Sequence, residues 1–435
     1  MLDFALAFGA LFALVFARMP LGLAMLLVGT VGFADLVSWP AALSMLAQTC
    51  FEAAQSYTLS VLPLFVLMGN LLSRAGVSRE LFSASYALLG HLRGGLAMTT
   101  IVAAGGFSAV CGSSLATAAT MTKVAMPEMR RFGYRPGFAA GAVAAGGTLG
   151  ILIPPSVILV IYGLLTQSDI GKLFLAGVLP GLLGILLYVA AVVATTAFFP
   201  ELGPPGERRP WPERIRALRG VLPTTALFLV ILGGIYLGVF TPTEAAAIGA
   251  AAALAIAFAR GALDLPALFE VLVESARTTA VLFTVIMGAL VFGNLASFAG
   301  FPDRLAALVE AAGLGPWAVV TAIVLVYLLL GCVLESLSMI LLTVPVFYPI
   351  VQGLDLGLSP EAALVWFGIV VVVVTEISLL TPPVGMNVFV LRGLLPDVPL
   401  VAIYKGVTPF WIADIVRLAL ILYLPVLSLL IPGLA

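Results

Sequence analysis

The stretch Gly146-Gly-Thr-Leu-Gly-Ile-Leu-Ile-Pro-Pro-Ser156 interrupts a long apolar run with three glycines and two adjacent prolines. A second interruption, Thr375-Glu-Ile-Ser-Leu-Leu-Thr-Pro-Pro-Val-Gly-Met-Asn387, lies in the other half of the chain. Proline removes a backbone donor and clashes with the preceding turn, so each Pro-Pro pair is expected to break its helix. We therefore predict broken helices over residues 137–167 and 361–391.

Each interruption is preceded by a short polar stretch that is rich in serine. These stretches are Cys111-Gly-Ser-Ser-Leu-Ala-Thr117 in the first half and Glu335-Ser-Leu-Ser338 in the second. Irregular backbone at membrane depth is tolerated only where it faces protein or a water-filled cavity. We predict two re-entrant hairpins, each made of two half-helices, at about residues 96–127 and 318–350.

The composition requires a membrane protein. Of the 435 residues, 62% are apolar and 9% are charged, whereas soluble domains average about 45–50% and about 25%. The continuous apolar runs favour helices over a barrel, and the length allows on the order of ten spans of about 20 residues. A net charge of −1 excludes a basic surface for nucleic acid. No phosphate-binding loop of the G-x-x-x-x-G-K-[ST] type occurs, so an ion gradient is the expected energy source.

The positions of the basic residues indicate an inverted repeat. A Pro-rich loop at 200–220 carries five arginines and is interpreted as a cytoplasmic connector: Arg208, Arg209, Arg214, Arg216 and Arg219. An odd number of crossings precedes this connector, so repeats 1–199 and 221–435 have opposite orientations and both chain termini lie outside. We therefore predict an all-α polytopic transporter with two hairpins and two broken helices.

A broken helix exposes carbonyl groups on one side and N–H groups on the other. The carbonyls, together with Ser and Thr hydroxyls, suit an alkali cation, whereas the N–H ends suit an anion. One such module in each half predicts two pseudo-symmetric cation sites that flank one substrate site.

Several ionisable residues lie within apolar stretches, where an unpaired charge is costly. Glu335 and Glu376 are interpreted either as cation ligands or as protonated or helix-capping carboxyls. Glu244 is expected to cap a helix. Asp414 and Arg417 are expected to form a local ion pair, with Arg417 snorkelling to the interface.

The two Pro-Pro motifs, with Phe240-Thr-Pro-Thr-Glu-Ala-Ala-Ala247, resemble the large membrane subunit of tripartite ATP-independent periplasmic (TRAP) transporters. This resemblance covers essentially the whole chain. It implies a sodium-driven elevator transporter of the ion transporter superfamily type in the bacterial inner membrane, with periplasmic termini, no enzyme activity and no cofactor besides sodium ions. It also implies three partners, which are a small four-helix membrane subunit, a periplasmic binding protein and an organic acid such as a dicarboxylate or sialic acid.

The resemblance further assigns site residues by position. The first sodium site would comprise Gly112, Ser113, Ser114, Thr117, Gly147, Thr148 and Gly150. The second would comprise Glu335, Ser336, Ser338, Thr375, Thr381 and Gly385. The substrate site would comprise Ser113, Ser114, Pro155, Ser156, Ser336, Pro383 and Asn387.

Two other functions compete with this one. A stand-alone sodium- or proton-coupled anion symporter of the same architecture would need no binding protein. An intramembrane enzyme that uses Ser or Glu is disfavoured, because His91 is the single histidine and no G-x-S-x-G motif is present.

Overall fold

The structure is a computed structural model that describes residues 2–332 and 334–434. Within these ranges the regular elements are all helices. The first half contains α1 (Leu2–Phe16), α2 (Leu21–Leu36), α3 (Trp39–Gln55), α4 (Val61–Arg74), α5 (Val77–Leu89), α6 (Gly95–Cys111), α7 (Ser114–Arg131), α8 (Pro136–Thr148), α9 (Val157–Thr166) and α10 (Ile170–Phe198). The second half contains α11 (Trp211–Tyr236), α12 (Pro242–Ala259), α13 (Leu265–Phe298), α14 (Phe301–Ala311), α15 (Pro316–Gly331), α16 (Ser336–Gln352), α17 (Pro360–Ser378), α18 (Met386–Leu394), α19 (Leu400–Tyr423) and α20 (Val426–Leu429).

The predicted all-helical fold is confirmed, with both interrupted modules in each half. Helices α6 and α7 are separated at Gly112 and Ser113, and α15 and α16 are separated at 332–335, where Val333 is outside the described residues. The Pro-Pro segments separate α8 from α9 and α17 from α18.

Local chemistry explains where the first-half helices stop and restart. Gly112 ends α6 in the left-handed region, with φ of 61°, which glycine adopts without a side-chain clash. Ser113 then caps α7 by accepting a hydrogen bond from the Ala116 amide at 3.4 Å. Ser156 caps α9 in the same way, from the Leu159 amide at 3.2 Å. The Pro154–Pro155 and Pro382–Pro383 peptide bonds are both cis.

Six helices in the described ranges are long and apolar enough to cross a membrane: α10, α11, α12, α13, α17 and α19. A seventh span results if α3 and the segment Thr58–Arg74, bent by 59° to each other, are counted together. The other apolar helices are shorter, as expected for half-helices of hairpins and broken spans. Helix α11 begins at Trp211, inside the Arg-rich segment that was predicted to be a connector up to residue 220.

Helix α17 lies at the centre of the molecule. In its most apolar window 94% of the residues are buried by protein, against 22% for α11, so α17 is surrounded by helices whereas α11 lies at the surface of the chain. Helices α8 and α19 approach closely at glycines, since a Cβ atom at Gly406 would overlap the backbone of Gly137. This contact places the first broken helix next to α19, and α17 and α18 of the second broken helix also pack on α19.

Candidate functional site

The two hairpin tips meet at one cavity of about 330 Å³. Gly112, Ser113 and Ser114 line it from the first half, and Glu335 and Ser336 line it from the second. The structure therefore brings together the tip residues that the sequence analysis assigned to substrate and cation binding.

Two helix N-termini lie at this cavity, because α7 begins at Ser114 and α16 begins at Ser336. The first amides of a helix lack intrahelical partners and carry a partial positive charge. Ser113 caps one amide of α7, whereas Glu335, at the N-cap position of α16, makes no side-chain capping bond to the described backbone. Such a pair of helix ends suits a bound anion.

The residues assigned to the first cation site lie together where α7 packs on the end of α8. The Ser114 hydroxyl donates to the Thr148 carbonyl at 3.3 Å. A Cβ atom at Gly150 would lie 3.1 Å from the Ser113 carbonyl carbon, so glycine allows the two backbones to approach. Thr117 is fully buried, and its hydroxyl shares a hydrogen bond with the Cys111 thiol at the end of α6.

Gly147 and Gly112 complete the first group. A Cβ atom at Gly147 would lie 2.7 Å from that of Ala118 on α7. Gly112 lies beside the Pro-Pro break of the same half, because a Cβ atom at Gly112 would be 3.8 Å from the Pro155 carbonyl oxygen. The oxygens available in this first group are hydroxyls and backbone carbonyls.

The second group surrounds the break between α17 and α18. The Ser338 hydroxyl donates to Glu335 Oε1 at 2.9 Å. Cys332 at the hairpin tip donates from Sγ to the Pro382 carbonyl at 3.4 Å, which joins the hairpin to the break. The Ser336 hydroxyl is buried and is unpaired within the described chain.

The two threonines of the second group bond along their own helix. Thr375 donates to the Val371 carbonyl, and Thr381 donates to the Ile377 carbonyl at 2.7 Å. Thr381 also accepts from Trp411 Nε1 at 3.0 Å. Gly385 turns the chain between the half-helices with φ of 56°.

Four residues assigned to the substrate site do not line the cavity between the tips: Pro155, Ser156, Pro383 and Asn387. The Ser156 hydroxyl donates to the Ile151 carbonyl at 2.5 Å, and Asn387 donates to the Ala144 carbonyl at 3.1 Å. Pro383 is exposed, and its carbonyl accepts from the Tyr404 hydroxyl at 3.0 Å. The hydrogen bonds of Ser156, Pro383 and Asn387 thus hold the backbone around the breaks.

Three polar residues on the facing wall were missed by the sequence analysis: Asn70 on α4, and Glu274 and Thr278 on α13. Asn70 donates to the Ser275 hydroxyl at 2.9 Å and so ties α4 to α13. Glu274 lies just before the apolar run 277–297, where it looks like the polar end of a span. Helix α13 instead runs from 265 to 298 and carries this carboxylate to the cavity.

The buried ion pairs correct two predictions. Arg417 does not snorkel, because it is fully buried and contacts Glu376 of α17. Glu376 therefore has a guanidinium partner, in contrast to its interpretation as a cation ligand. The predicted Asp414–Arg417 pair is confirmed at 2.9 Å.

The predicted cap at Glu244 is also confirmed. Thr241 and Glu244 form a reciprocal capping box at the start of α12, with the Thr241 amide 2.8 Å from Glu244 Oε2. This carboxylate is therefore a structural group.

The site residues fit a sodium ion. Buried polar atoms are almost always satisfied, so an unpaired one indicates a missing water or ion. The Ser336 hydroxyl and Asn387 Oδ1 are buried atoms without a partner in the described structure. Both are neutral oxygens, and neutral oxygens are ligands that a hard cation accepts.

Comparison with known proteins places the chain in a family. The family model for the tripartite ATP-independent periplasmic transporter, DctM component, matches residues 8–427. The chain is 39% identical to the C4-dicarboxylate TRAP transporter large permease protein DctM of Pseudomonas aeruginosa, over 91% of this chain and 90% of that protein. It is 34% identical to the sialic acid TRAP transporter large permease protein SiaM of Vibrio cholerae, over 97% of this chain and 96% of that protein.

A solved structure shares the fold. The YdaH transporter of Alcanivorax borkumensis matches with a TM-score of 0.61 and 14% identity over 88% of both chains. The resemblance seen in the sequence motifs is confirmed by the family match. This multi-pass membrane protein belongs to the DctM family, the large permease components of tripartite ATP-independent periplasmic transporters.

Proposed function

We propose that this chain imports an organic acid anion across the bacterial inner membrane, coupled to sodium and with both chain termini in the periplasm. The observation that carries the proposal is the single cavity at which the N-termini of α7 and α16 meet, one from each half. The buried Ser336 hydroxyl, which has no partner within the described residues, lies at the second of these helix ends.

The charges around the cavity favour coupling between a cation and an anion. Glu335 and Glu274 line the same cavity as the two helix N-termini, and carboxylates repel an anion at short distance. Sodium ions bound beside the hairpin tips would offset this repulsion. The anion would then bind well only after the cations, which is the requirement for symport.

The architecture also supports an elevator mechanism. One side of the cavity consists of hairpin tips, and the other side is formed by α4 and α13. The hairpins and broken helices would move as one body against α4 and α13 and carry the bound substrate. The substrate would be a carboxylate such as a C4-dicarboxylate or sialic acid, delivered by a periplasmic binding protein, with a small four-helix membrane subunit as the third component.

Reconstitution into liposomes tests this proposal directly. The chain is inserted with its small subunit, the binding protein is added with labelled C4-dicarboxylate or sialic acid, and uptake is followed under an inward sodium gradient. We expect uptake that stops when potassium replaces sodium. Uptake in potassium that follows a proton gradient alone would contradict sodium coupling.

The role of the binding protein is tested in the same liposomes. Omitting it is expected to abolish uptake. Transport by the membrane components alone would instead support the stand-alone symporter.

A further inference from the structure

A continuous chain of polar contacts crosses the protein interior between the two broken helices. It consists of Tyr188 on α10, Glu376 on α17, and Asp414 and Arg417 on α19, which we call the charge network. All four residues are fully buried. Buried ionisable groups are costly unless paired, so their location in an apolar core calls for a role.

One end of the charge network touches the first candidate cation site. Tyr188 Oη lies 3.0 Å from Thr148 Oγ1 and donates to Asp414 Oδ2 at 2.5 Å. Thr148 is the residue whose carbonyl accepts the Ser114 hydroxyl. A shift of Thr148 on cation binding would therefore displace Tyr188 through this direct contact.

The other end lies on the helix that carries the second candidate site. Arg417 Nη2 is 2.9 Å from Asp414 Oδ1 and also contacts Glu376 Oε2. Glu376 directly follows Thr375 in α17. One guanidinium nitrogen, which carries two N–H donors, thus joins the Glu376 carboxylate of α17 to the Asp414 carboxylate of α19.

Helix α10 is shaped to hold the guanidinium in this position. A Cβ atom at Gly184 would collide with Arg417 Nη1, so only glycine leaves room there. The Tyr188 ring lies 5.8 Å from the guanidinium carbon. Because Arg417 Nε and Nη1 have no other partner in the described residues, the contacts through Nη2 determine how the network responds.

We infer that the charge network couples the two cation sites, so that occupation of one changes the affinity of the other. Its members act as positioning residues, since they set the position of Thr148 and of the α17 backbone without ligating the ion. Coupling between two sites is reciprocal and requires an element that both sites bias. This inference depends on the sodium sites of the proposed function and adds the connection between them.

The test compares two buried tyrosines. Tyr188→Phe removes the hydroxyl that bridges Thr148 and Asp414. Tyr162→Phe is the matched control, because Tyr162 is also fully buried but donates to the Leu364 backbone carbonyl at 2.7 Å, outside the network. Thermal melting of the purified chain is measured while sodium replaces potassium at constant ionic strength, which gives a midpoint and a steepness for sodium binding.

We expect Tyr188→Phe to raise the sodium midpoint about fivefold, which is the lower end of usual coupling strengths. The steepness of the sodium curve should fall to about one, the value for sites that bind independently. Tyr162→Phe should keep the wild-type sodium curve. If Tyr188→Phe does not accumulate, Arg417→Lys serves in its place, because it keeps the charge but loses the shared contact. It should shift the sodium curve in the same direction.

Two different results would contradict the inference. Sodium curves that are identical for wild type, Tyr188→Phe and Arg417→Lys would overturn the network while leaving sodium binding intact. A wild-type protein that sodium does not stabilise at all would overturn the proposed sodium coupling, and the network with it.

Discussion

The two hairpin tips reach the same cavity but differ in chemistry. The first tip, Gly112 to Ser114, is neutral, and Ser113 caps its second half-helix. The second tip places the Glu335 carboxylate at the start of α16, with Ser338 donating to it at 2.9 Å. The two repeats therefore share the positions of the backbone breaks. They differ in charge, because only the second tip carries a carboxylate.

The broken helices differ in a related way. Pro154 and Pro155 are buried, but Pro382 and Pro383 are exposed. The second break is also tied to α19 through Trp411 and Thr381. The first half thus places hydroxyl and carbonyl oxygens in closely packed backbone, and the second half places a carboxylate near an exposed break.

The largest expected effect comes from the charge of the second half. Arg417→Met leaves Glu376 and Asp414 buried without their partner, and such a loss costs about 3–5 kcal/mol. Arg74→Met is the control, because its pair with Glu270 is exposed and 3.5 Å long and contributes about 1 kcal/mol or less. Unfolding in denaturant measures the free energy of unfolding of both variants. Equal free energies of unfolding for Arg417→Met and Arg74→Met would show that the buried pairs are dispensable.

Glu335→Gln tests whether the second tip depends on its carboxylate. Removing a charged ligand costs about 1.5–3 kcal/mol, so sodium-driven uptake should fall about 10- to 100-fold at limiting sodium. Glu52→Gln is the matched control, because Glu52 is exposed on α3 and bonds only Gln48 at 3.0 Å among the described residues. Wild-type uptake by Glu335→Gln would contradict a role for this carboxylate.

The paired serines of the two tips allow a direct comparison. Ser114→Ala should raise the sodium requirement of uptake about fivefold and slightly lower the melting temperature, because a hydrogen bond of about 1 kcal/mol to Thr148 is lost. Ser336→Ala should raise the sodium requirement without lowering the melting temperature, since its hydroxyl has no partner in the described protein.

The sodium requirement is measured by titrating uptake with sodium, and the melting temperature by melting curves, for both serine variants. An unchanged sodium requirement in either variant removes that serine as a ligand.

The contrast also explains what the sequence could predict. Both Pro-Pro breaks and both serine-rich tips follow from local backbone chemistry, and their positions agree with the helix ends. The partner of Glu376 could not be predicted, because Arg417 lies 41 residues away and is brought close only by the packing of α17 and α19. The sequence shows Glu376 as an isolated carboxylate and pairs Arg417 only with Asp414, and only the fold shows that Glu376 and Arg417 meet.

The cavity wall of α4 and α13 was missed for the same reason. Asn70 and Ser275 are 205 residues apart and meet through tertiary packing. Glu274 resembles the polar end of a span in the sequence. A carboxylate directly before a long apolar run is the one signal that could have identified it.

The smallest expected effect concerns the surface link between the halves. Arg130 of α7 forms two hydrogen bonds to Asp397, at 2.9 and 2.8 Å, in the loop that precedes α19. The Arg130 guanidinium lowers the pKa of Asp397 below its ordinary value. The pair therefore stabilises the protein above that ordinary pKa, and the contribution is lost as the pH falls through the lowered pKa.

Melting is measured from about pH 7 to about pH 3, which spans the ordinary carboxyl pKa. Asp397→Asn should melt slightly below wild type at neutral pH, and this difference should shrink in acid. The effect is small because both side chains are about half exposed, with 45% and 60% of their surfaces accessible, and water screens such pairs. Glu310→Gln, an exposed carboxylate on α14, should show no such pH dependence. A large loss at neutral pH in Asp397→Asn would mean that the two halves are joined mainly at this surface rather than through the buried Arg417.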